Sequence, residues 1–397
     1  MRRSTQLATL TVAALLSFSP SVAGYLSQTY QRYSLGHSDL SPAAVEAALE
    51  AQGPALGPPS APLLDRYTAR LEEYTQALDA LEVSGARRVR LLERYWQVYW
   101  QAYELLGAAQ ASALVRMLAT ETRNQAPELG RHSAFASPET ALASSLRWLE
   151  FIRWVSALPP GSPDLEQVLS ARSPVRLAPG AVLGNARWIM RAANATRLPH
   201  GVLAAIVDNE QAGSQQVYGI AGAMRSFADT VAWRTAQVYG SSGLSGRISQ
   251  TVGLAQMSWK DALGQRERFE ALGIRLGVPF PETEAQARAL LVRPYANLVF
   301  TGSRLRGYLN ALSDDDPLSM RPHASAWTYF VGPAWHNNPA LASSGETFAY
   351  AWNGFFKAAL YQRLIPAYLR AEQGPVAQAQ RSLPGYSSAA TSSSAGG

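Results

Sequence analysis

Apolar side chains recur at steps of three and four along several stretches of the chain, which is the spacing of one face of an amphipathic helix. The first stretch begins near Leu63 and ends at Ser84-Gly85, with apolar positions at Leu64, Tyr67, Leu71, Tyr74, Leu78 and Leu81. The second runs from about Arg87 to Met117, through Leu92, Tyr95, Trp96, Tyr99, Tyr103, Leu106 and Leu114. The pattern predicts one long helix in each stretch.

A third helix is predicted to begin at Ser137-Pro138, because serine is a favoured N-cap residue and proline fits the first helical position. Its apolar face is Leu142, Leu146, Leu149 and Ile152. The three helices together predict an antiparallel helical bundle, which would form an N-terminal domain over residues 24–160. The aromatic cluster from Tyr95 to Tyr103 suits either a packed core or a sugar-stacking platform, and its helical spacing favours the core.

The composition changes after this region. Prolines stand at positions 159, 160, 163, 174 and 179, which is typical of a linker or of irregular packing. We therefore expect a proline-rich linker over 161–182 and a second helical domain over 183–372. Residues 373–397 are rich in Ser, Ala and Gly, which predicts a disordered tail. The predicted fold class is mostly α.

The N-terminus has the features of a cleaved secretory signal over residues 1–23. Arg2 and Arg3 precede an apolar run of 12 residues, Leu7–Phe18, and Ser21-Val22-Ala23 follows as a small-x-small cleavage site. The run is shorter than the roughly 20 residues needed to span a bilayer. We expect an exported chain in the periplasm or extracellular envelope, without stable membrane insertion.

Cysteine usage and charge limit the chemistry. The chain has no cysteine, which excludes disulfides, thiol catalysis and lipoprotein anchoring. The five histidines are scattered, so no metal site is predicted. Residues 24–180 hold 14 basic against 16 acidic side chains, whereas 181–397 hold 19 against 13. The positive C-terminal part would suit an anionic polymer, either cell wall or nucleic acid.

One carboxylate lies on an apolar helical face. Leu203, Ile206 and Val207 precede Glu210 by seven, four and three residues, which places them on its side of the predicted helix. Desolvation there would keep a carboxylic acid protonated, as a general acid for glycosidic cleavage requires. The alternative is a structural glutamate at the end of the helix, partnered by an arginine. Asp208 points to another side of the helix and is predicted to be a surface charge.

Three further segments follow Glu210 along the chain. They are Gly253-Leu254-Ala255-Gln256-Met257, then Ala326-Trp327-Thr328-Tyr329-Phe330-Val331-Gly332-Pro333, and finally Glu346-Thr347-Phe348-Ala349-Tyr350. With Glu210 they resemble, in order and rough spacing, the motifs of the lytic transglycosylase and goose-type lysozyme superfamily. The resemblance covers about residues 183–370 and implies a lysozyme-like domain.

The resemblance also implies a function and a set of roles. Glu210 would be the single catalytic acid and base that cleaves the β-1,4 bond between N-acetylmuramic acid and N-acetylglucosamine in peptidoglycan, leaving 1,6-anhydro ends. Gln256 and Tyr329 would orient the sugar, and Tyr350 would buttress Glu210. Gly253 would let the backbone approach the substrate, and Met257, in the same turn, would also contact it. The implied partner is the peptidoglycan strand rather than nucleic acid, without a cofactor or metal.

Departures from the family pattern leave other functions open. Gln211 stands where the family usually has serine after the glutamate, and Phe330 replaces an asparagine. Both substitutions suit a non-catalytic wall-binding scaffold. A muramidase that hydrolyses the bond would need a second carboxylate, for which Asp229 and Asp261 are the candidates. The N-terminal domain is in addition a candidate docking module for an envelope protein.

Overall fold

The computed structural model describes residues 61–128, 133–159, 162, 164–218, 251–311 and 345–373. Over these ranges the chain is mostly helical, as predicted, with 13 helices and one short hairpin. The first four helices are α1 (Ala61–Ala80), α2 (Gly85–Leu106), α3 (Ala108–Asn124) and α4 (Pro138–Ser156). Next come α5 (Leu165–Arg172), α6 (Pro179–Leu183), α7 (Ala186–Thr196) and α8 (His200–Tyr218).

The second half of the described chain begins with an antiparallel hairpin of β1 (Thr251–Val252) and β2 (Met257–Ser258). It is followed by α9 (Trp259–Leu263), α10 (Arg266–Leu272), α11 (Glu284–Leu291), α12 (Pro294–Ala311) and α13 (Gly345–Gln373). None of the helices in the described ranges is long and apolar enough to cross a membrane.

The predicted start of the third helix is confirmed in detail. Thr140 N–H donates to Ser137 Oγ at 3.3 Å and Ser137 N–H donates to Thr140 Oγ1 at 3.1 Å, which forms a reciprocal capping box. Pro138 occupies the first turn, where its missing N–H removes no helical hydrogen bond.

The prediction of one helix from Arg87 to Met117 is wrong, because the chain breaks at Gly107. Gly107 has a φ of +90°, and its N–H donates to Tyr103 O at 3.0 Å to close α2. The next helix, α3, begins at Ala108. A positive φ is cheap for glycine and costly for other residues, so the backbone turns here although the apolar spacing continues.

The aromatic cluster divides between interior and surface. Tyr95 and Tyr99 are fully buried, and the Tyr95 ring stacks on Tyr74 with centroids 4.0 Å apart. Trp96 and Trp100 are partly exposed against the same core. The core interpretation is therefore confirmed for the tyrosines that face inwards.

The stretch predicted as a linker is instead helical and packed. It contains α5 and α6, and Leu165, Leu169 and Val182 are buried. Pro179 occupies the first turn of α6, where proline is well tolerated. The apolar spacing within each short helix was too brief to stand out from the proline-rich composition.

Helix α13 packs against the N-terminal bundle as well as against the later helices. Its Phe356 ring stacks on Trp148 of α4 at 5.3 Å, and its Trp352 Nε1 donates to Ser144 Oγ at 3.2 Å. One continuous hydrophobic core thus includes residues from both halves of the described chain. The division into two domains stays a prediction.

Candidate active site

Glu210 lies in the interior of α8, not at its end, because the helix continues to Tyr218. Leu203, Ile206 and Val207 are fully buried, as the periodicity predicted, and Glu210 is half-buried beside them. The helix-end interpretation of Glu210 is therefore wrong. A partly desolvated carboxylate on an otherwise apolar face is the feature that makes this position a candidate site.

Tyr350 of α13 contacts Glu210 directly. The fully buried Tyr350 hydroxyl donates to Glu210 Oε1 at 2.9 Å. The neighbouring Asn209 Nδ2 also donates to the backbone carbonyl of Tyr350, at a longer 3.5 Å. Two residues that are 140 positions apart in the chain are thus joined at the candidate carboxylate.

The beginning of α8 is also anchored to α13. Gly201 N–H donates to Gln362 Oε1 at 2.9 Å, and His200 Nε2 lies 3.0 Å from Gln362 O. A Cβ at Gly201 would collide with the Ala358 carbonyl, so the glycine permits close packing of the two helices. Burial lowers the pKa of His200, which favours the neutral imidazole at this contact.

The Gly253–Met257 segment forms the turn of the short hairpin. Val252 pairs with Met257 across it, and Gly253 has a φ of +82°. A Cβ at Gly253 would overlap the Leu291 carbonyl and the Asn297 amide. Glycine is therefore needed here for the protein's own packing, whatever approach to a substrate it also permits.

The Gln256 side chain folds back onto this turn. It is 8% exposed, its Nε2 donates to Gly253 O at 2.7 Å, and its Oε1 accepts from the Thr251 hydroxyl at 3.2 Å. Met257 is fully buried in the hydrophobic core. The predicted contacts of Gln256 and Met257 with substrate stay predictions, and both side chains have structural roles in the hairpin.

Asn297 of α12 is a structural residue that the sequence reasoning missed. Its Oδ1 accepts from Ala255 N–H at 2.8 Å, and its Nδ2 donates to Val252 O at 2.7 Å and Leu291 O at 3.1 Å. The side chain is fully buried. The sequence feature that could have identified it is a single amide side chain among apolar neighbours at the start of α12.

Gln211 connects the hairpin to the candidate carboxylate. The Gln211 side chain is 1% exposed, and its Nε2 donates to Leu254 O at 2.6 Å. Because Gln211 follows Glu210 directly on α8, this bond places the Gly253–Met257 turn beside the same segment of helix. Three of the four motifs are therefore joined at Glu210 and Gln211 of α8, with Tyr350 on the former and the turn on the latter.

The prediction that Asp208 is a surface charge is wrong. Asp208 and Lys357 are both completely buried, with Nζ and Oδ1 2.5 Å apart. Asp208 Oδ2 also accepts from Ala178 N–H at 2.9 Å and from the Tyr361 hydroxyl. The side of α8 opposite Glu210 does not face solvent, because α13 and the residues that precede α6 cover it.

The candidate second carboxylate Asp261 already has a partner. Its Oδ2 lies 2.8 Å from Nη1 of Arg304, and its N–H is held by Ser258 Oγ, the N-cap of α9. Asp229, Tyr329 and the rest of the Ala326–Pro333 motif lie outside the described residues. Within the described ranges no group of His, Asp and Glu side chains is arranged to hold a metal ion.

Comparison with known proteins adds no family assignment. No protein-family model matches the chain, and neither a curated protein nor a solved structure matches it.

Proposed function

We propose that this chain is a peptidoglycan lytic transglycosylase with Glu210 as its single acid and base. The observation that carries the proposal is that two distant segments contact adjacent residues of α8: the Gly253–Met257 turn accepts a hydrogen bond from Gln211, and Tyr350 donates one to Glu210. Both segments belong to the motifs that resemble one family in the sequence. Their contacts with neighbouring residues of one helix support that resemblance.

The proposed reaction uses Glu210 twice. The protonated carboxyl first gives its proton to the oxygen between N-acetylmuramic acid and N-acetylglucosamine, so that the C1–O bond breaks and the N-acetylglucosamine end leaves with a hydroxyl. The carboxylate then takes the proton of the muramoyl C6 hydroxyl, whose oxygen bonds to C1. The product is a 1,6-anhydro ring, and water is not consumed.

The surroundings of Glu210 suit this double role. The Tyr350 hydroxyl donates to Oε1 and so helps to orient the carboxyl group, and the aliphatic residues on the same side of α8 are buried. A general acid must be held within hydrogen-bond reach of the leaving oxygen. Gln256 and Tyr329 are proposed to orient the sugar, with Gly253 and Met257 shaping the turn beside it.

The ion pair of Asp261 bears on the alternative of hydrolysis. A hydrolase needs a second carboxylate to activate water or to attack C1. Asp261 is engaged by Arg304 at the start of α9, which supports a structural role for it. Asp229 is then the remaining candidate for a hydrolytic enzyme.

The same proposal covers location and partners. Removal of residues 1–23 on export would deliver the chain to the periplasm or the extracellular envelope, where its substrate is found. The glycan strand is the proposed partner, without a cofactor or metal. The N-terminal helices are proposed to dock an envelope protein partner.

The direct test is digestion of purified peptidoglycan by the mature chain, with Glu210→Gln beside it. We expect wild-type protein to release soluble fragments, and Glu210→Gln to bind the insoluble polymer normally while releasing none. Glu267→Gln, which changes an exposed carboxylate on α10, is the matched control and should keep full activity. Binding without release by the wild-type chain would instead identify a scaffold.

A further inference from the structure

The Asp208–Lys357 ion pair is a fully buried charged contact of the helix that carries Glu210. Both side chains are completely buried, and the charged atoms lie 2.5 Å apart. Removing two charges from water costs several kcal/mol per ion, which their attraction recovers only with good geometry and further hydrogen bonds. Asp208 has those bonds, from Ala178 N–H and the Tyr361 hydroxyl.

The pair joins the same two helices as the Glu210–Tyr350 contact. On α13, Lys357 and Tyr361 follow Tyr350 by seven and eleven residues, close to two and three helical turns, so the three side chains share one face. On α8, Asp208 and Glu210 flank Asn209, whose amide donates to the Tyr350 carbonyl. Long side chains from α13 thus hold α8 on both sides of Asn209.

This arrangement restricts rotation of α8 about its own axis. A rotation that moved Glu210 away from the Tyr350 hydroxyl would also move Asp208 relative to Lys357 and leave two opposite charges imperfectly paired in the core. A slip by one residue along the helix would turn the side chains by about 100° and break both contacts. Fixing a register is the best-attested role of buried polar groups in helical proteins.

We propose that Asp208 and Lys357 are a positioning pair, which fixes the rotation and register of α8 against α13 and thereby holds the Glu210 carboxyl group on the Tyr350 hydroxyl. The pair touches no substrate and acts only through Glu210. Its catalytic consequence rests on the proposed function, whereas its effect on the Glu210–Tyr350 contact does not.

The test compares three variants with the wild-type chain. Asp208→Asn/Lys357→Met removes both charges at once, so that no unpaired ion is left buried and the protein still folds. Leu118→Ala makes a cavity in the distant N-terminal bundle, where Leu118 is fully buried, and is the control for a general loss of stability. Tyr361→Phe removes one hydrogen bond to Asp208 and keeps the ion pair.

The first readout does not depend on enzymatic activity. The chain is labelled with 3-fluorotyrosine, and the ¹⁹F signal of Tyr350 is assigned by its loss in Tyr350→Phe. Glu210→Gln should shift this signal, and Asp208→Asn/Lys357→Met should shift or broaden it as much. Leu118→Ala should leave it unchanged. An unchanged Tyr350 signal in Asp208→Asn/Lys357→Met would overturn the proposal.

The second readout is glycan cleavage by fully folded protein. We expect Asp208→Asn/Lys357→Met to lower kcat by roughly 10- to 100-fold, as a misplacement of about 1 Å can do, with little change in KM. Tyr361→Phe should give a smaller decrease, and Leu118→Ala none. Equal kcat values for Asp208→Asn/Lys357→Met and wild type would also overturn the positioning role. Absence of cleavage by wild type would contradict the proposed function, while the ¹⁹F measurement would still decide the positioning role.

Discussion

Gln211 Nε2 donates a 2.6 Å hydrogen bond to the carbonyl oxygen of Leu254, so the residue that follows Glu210 also holds the tip of the β1–β2 hairpin. In the family that the sequence resembles, serine usually occupies this position. A serine hydroxyl is two atoms nearer the backbone and would not span the same gap. Gln211 therefore makes a specific contact that serine could not make at this position.

This contact predicts that restoring the family residue is harmful. Gln211→Ser should leave the buried Leu254 carbonyl without this donor, which costs about 1–3 kcal/mol, and should lower glycan cleavage roughly 10-fold by releasing the hairpin. Hydrogen exchange at residues 251–258 should become faster. Gln167→Ser changes an exposed glutamine on α5 and serves as the control. A Gln211→Ser protein with wild-type activity would show that the hairpin needs no anchor on α8.

The turn itself predicts a contrast between two glycines. Gly253 and Gly273 both have a positive φ, but only Gly253 has neighbours within 4 Å of an added Cβ. Gly273→Ala should cost about 1 kcal/mol through backbone strain alone. Gly253→Ala should cost at least about 3 kcal/mol, because strain and overlap with the Leu291 carbonyl add. Urea denaturation measures both, and equal costs would mean that the turn tolerates a side chain.

Replacement of Asn297, which lies outside the four sequence motifs, is predicted to lower the stability of the protein strongly. Asn297→Ala removes three hydrogen bonds at once and should lower the free energy of unfolding by about 3 kcal/mol. Asn297→Asp keeps an acceptor for Ala255 N–H but loses the donor to Val252 O and Leu291 O, so it should not rescue stability. Asn194→Ala, at an exposed site on α7, should be neutral in the same denaturation experiment.

Glu121 predicts a pH dependence of stability in the N-terminal bundle. The side chain is fully buried, and desolvation raises its pKa to about 7 despite hydrogen bonds from Ser133 Oγ and the Ala134 and Phe135 amides. The folded state therefore binds the proton more tightly than the unfolded chain. Protonation of Glu121 therefore adds up to about 3 kcal/mol to the free energy of unfolding. This stabilisation is complete below about pH 4.5 and is lost as the pH rises towards 7.

The measurement is the free energy of unfolding at several pH values for wild type and Glu121→Gln. The variant should lack the decrease between pH 4.5 and 7, since glutamine cannot ionise. Glu93→Gln, at an exposed position on α2, should retain it. Parallel pH curves for wild type and Glu121→Gln would contradict the account.

Much of the helical framework could be predicted from the sequence, because it depends on local signals. Apolar spacing located α1, and the Ser137-Pro138 pair located the start of α4 to the residue. The break at Gly107 was missed because apolar spacing does not record a single positive φ. The helices α5 and α6 were missed because each is too short to show a period.

The candidate site was only partly predictable for a different reason. The apolar face identified Glu210, and resemblance identified Tyr350 and the Gly253–Met257 turn. Asp208 and Asn297 could not be interpreted in this way, since their burial depends on what α13 and the hairpin cover after folding. A lone polar residue in an apolar segment is ambiguous until its long-range partner is known.

The central claim is that Glu210 cleaves the glycan strand without consuming water. Mass spectrometry of fragments produced in H₂¹⁸O tests it most directly, with Glu210→Gln as the inactive reference. We predict 1,6-anhydro muramoyl ends that contain no ¹⁸O and are absent from the Glu210→Gln digest. Reducing ends that carry ¹⁸O, or cleavage that persists in Glu210→Gln, would contradict the proposed chemistry.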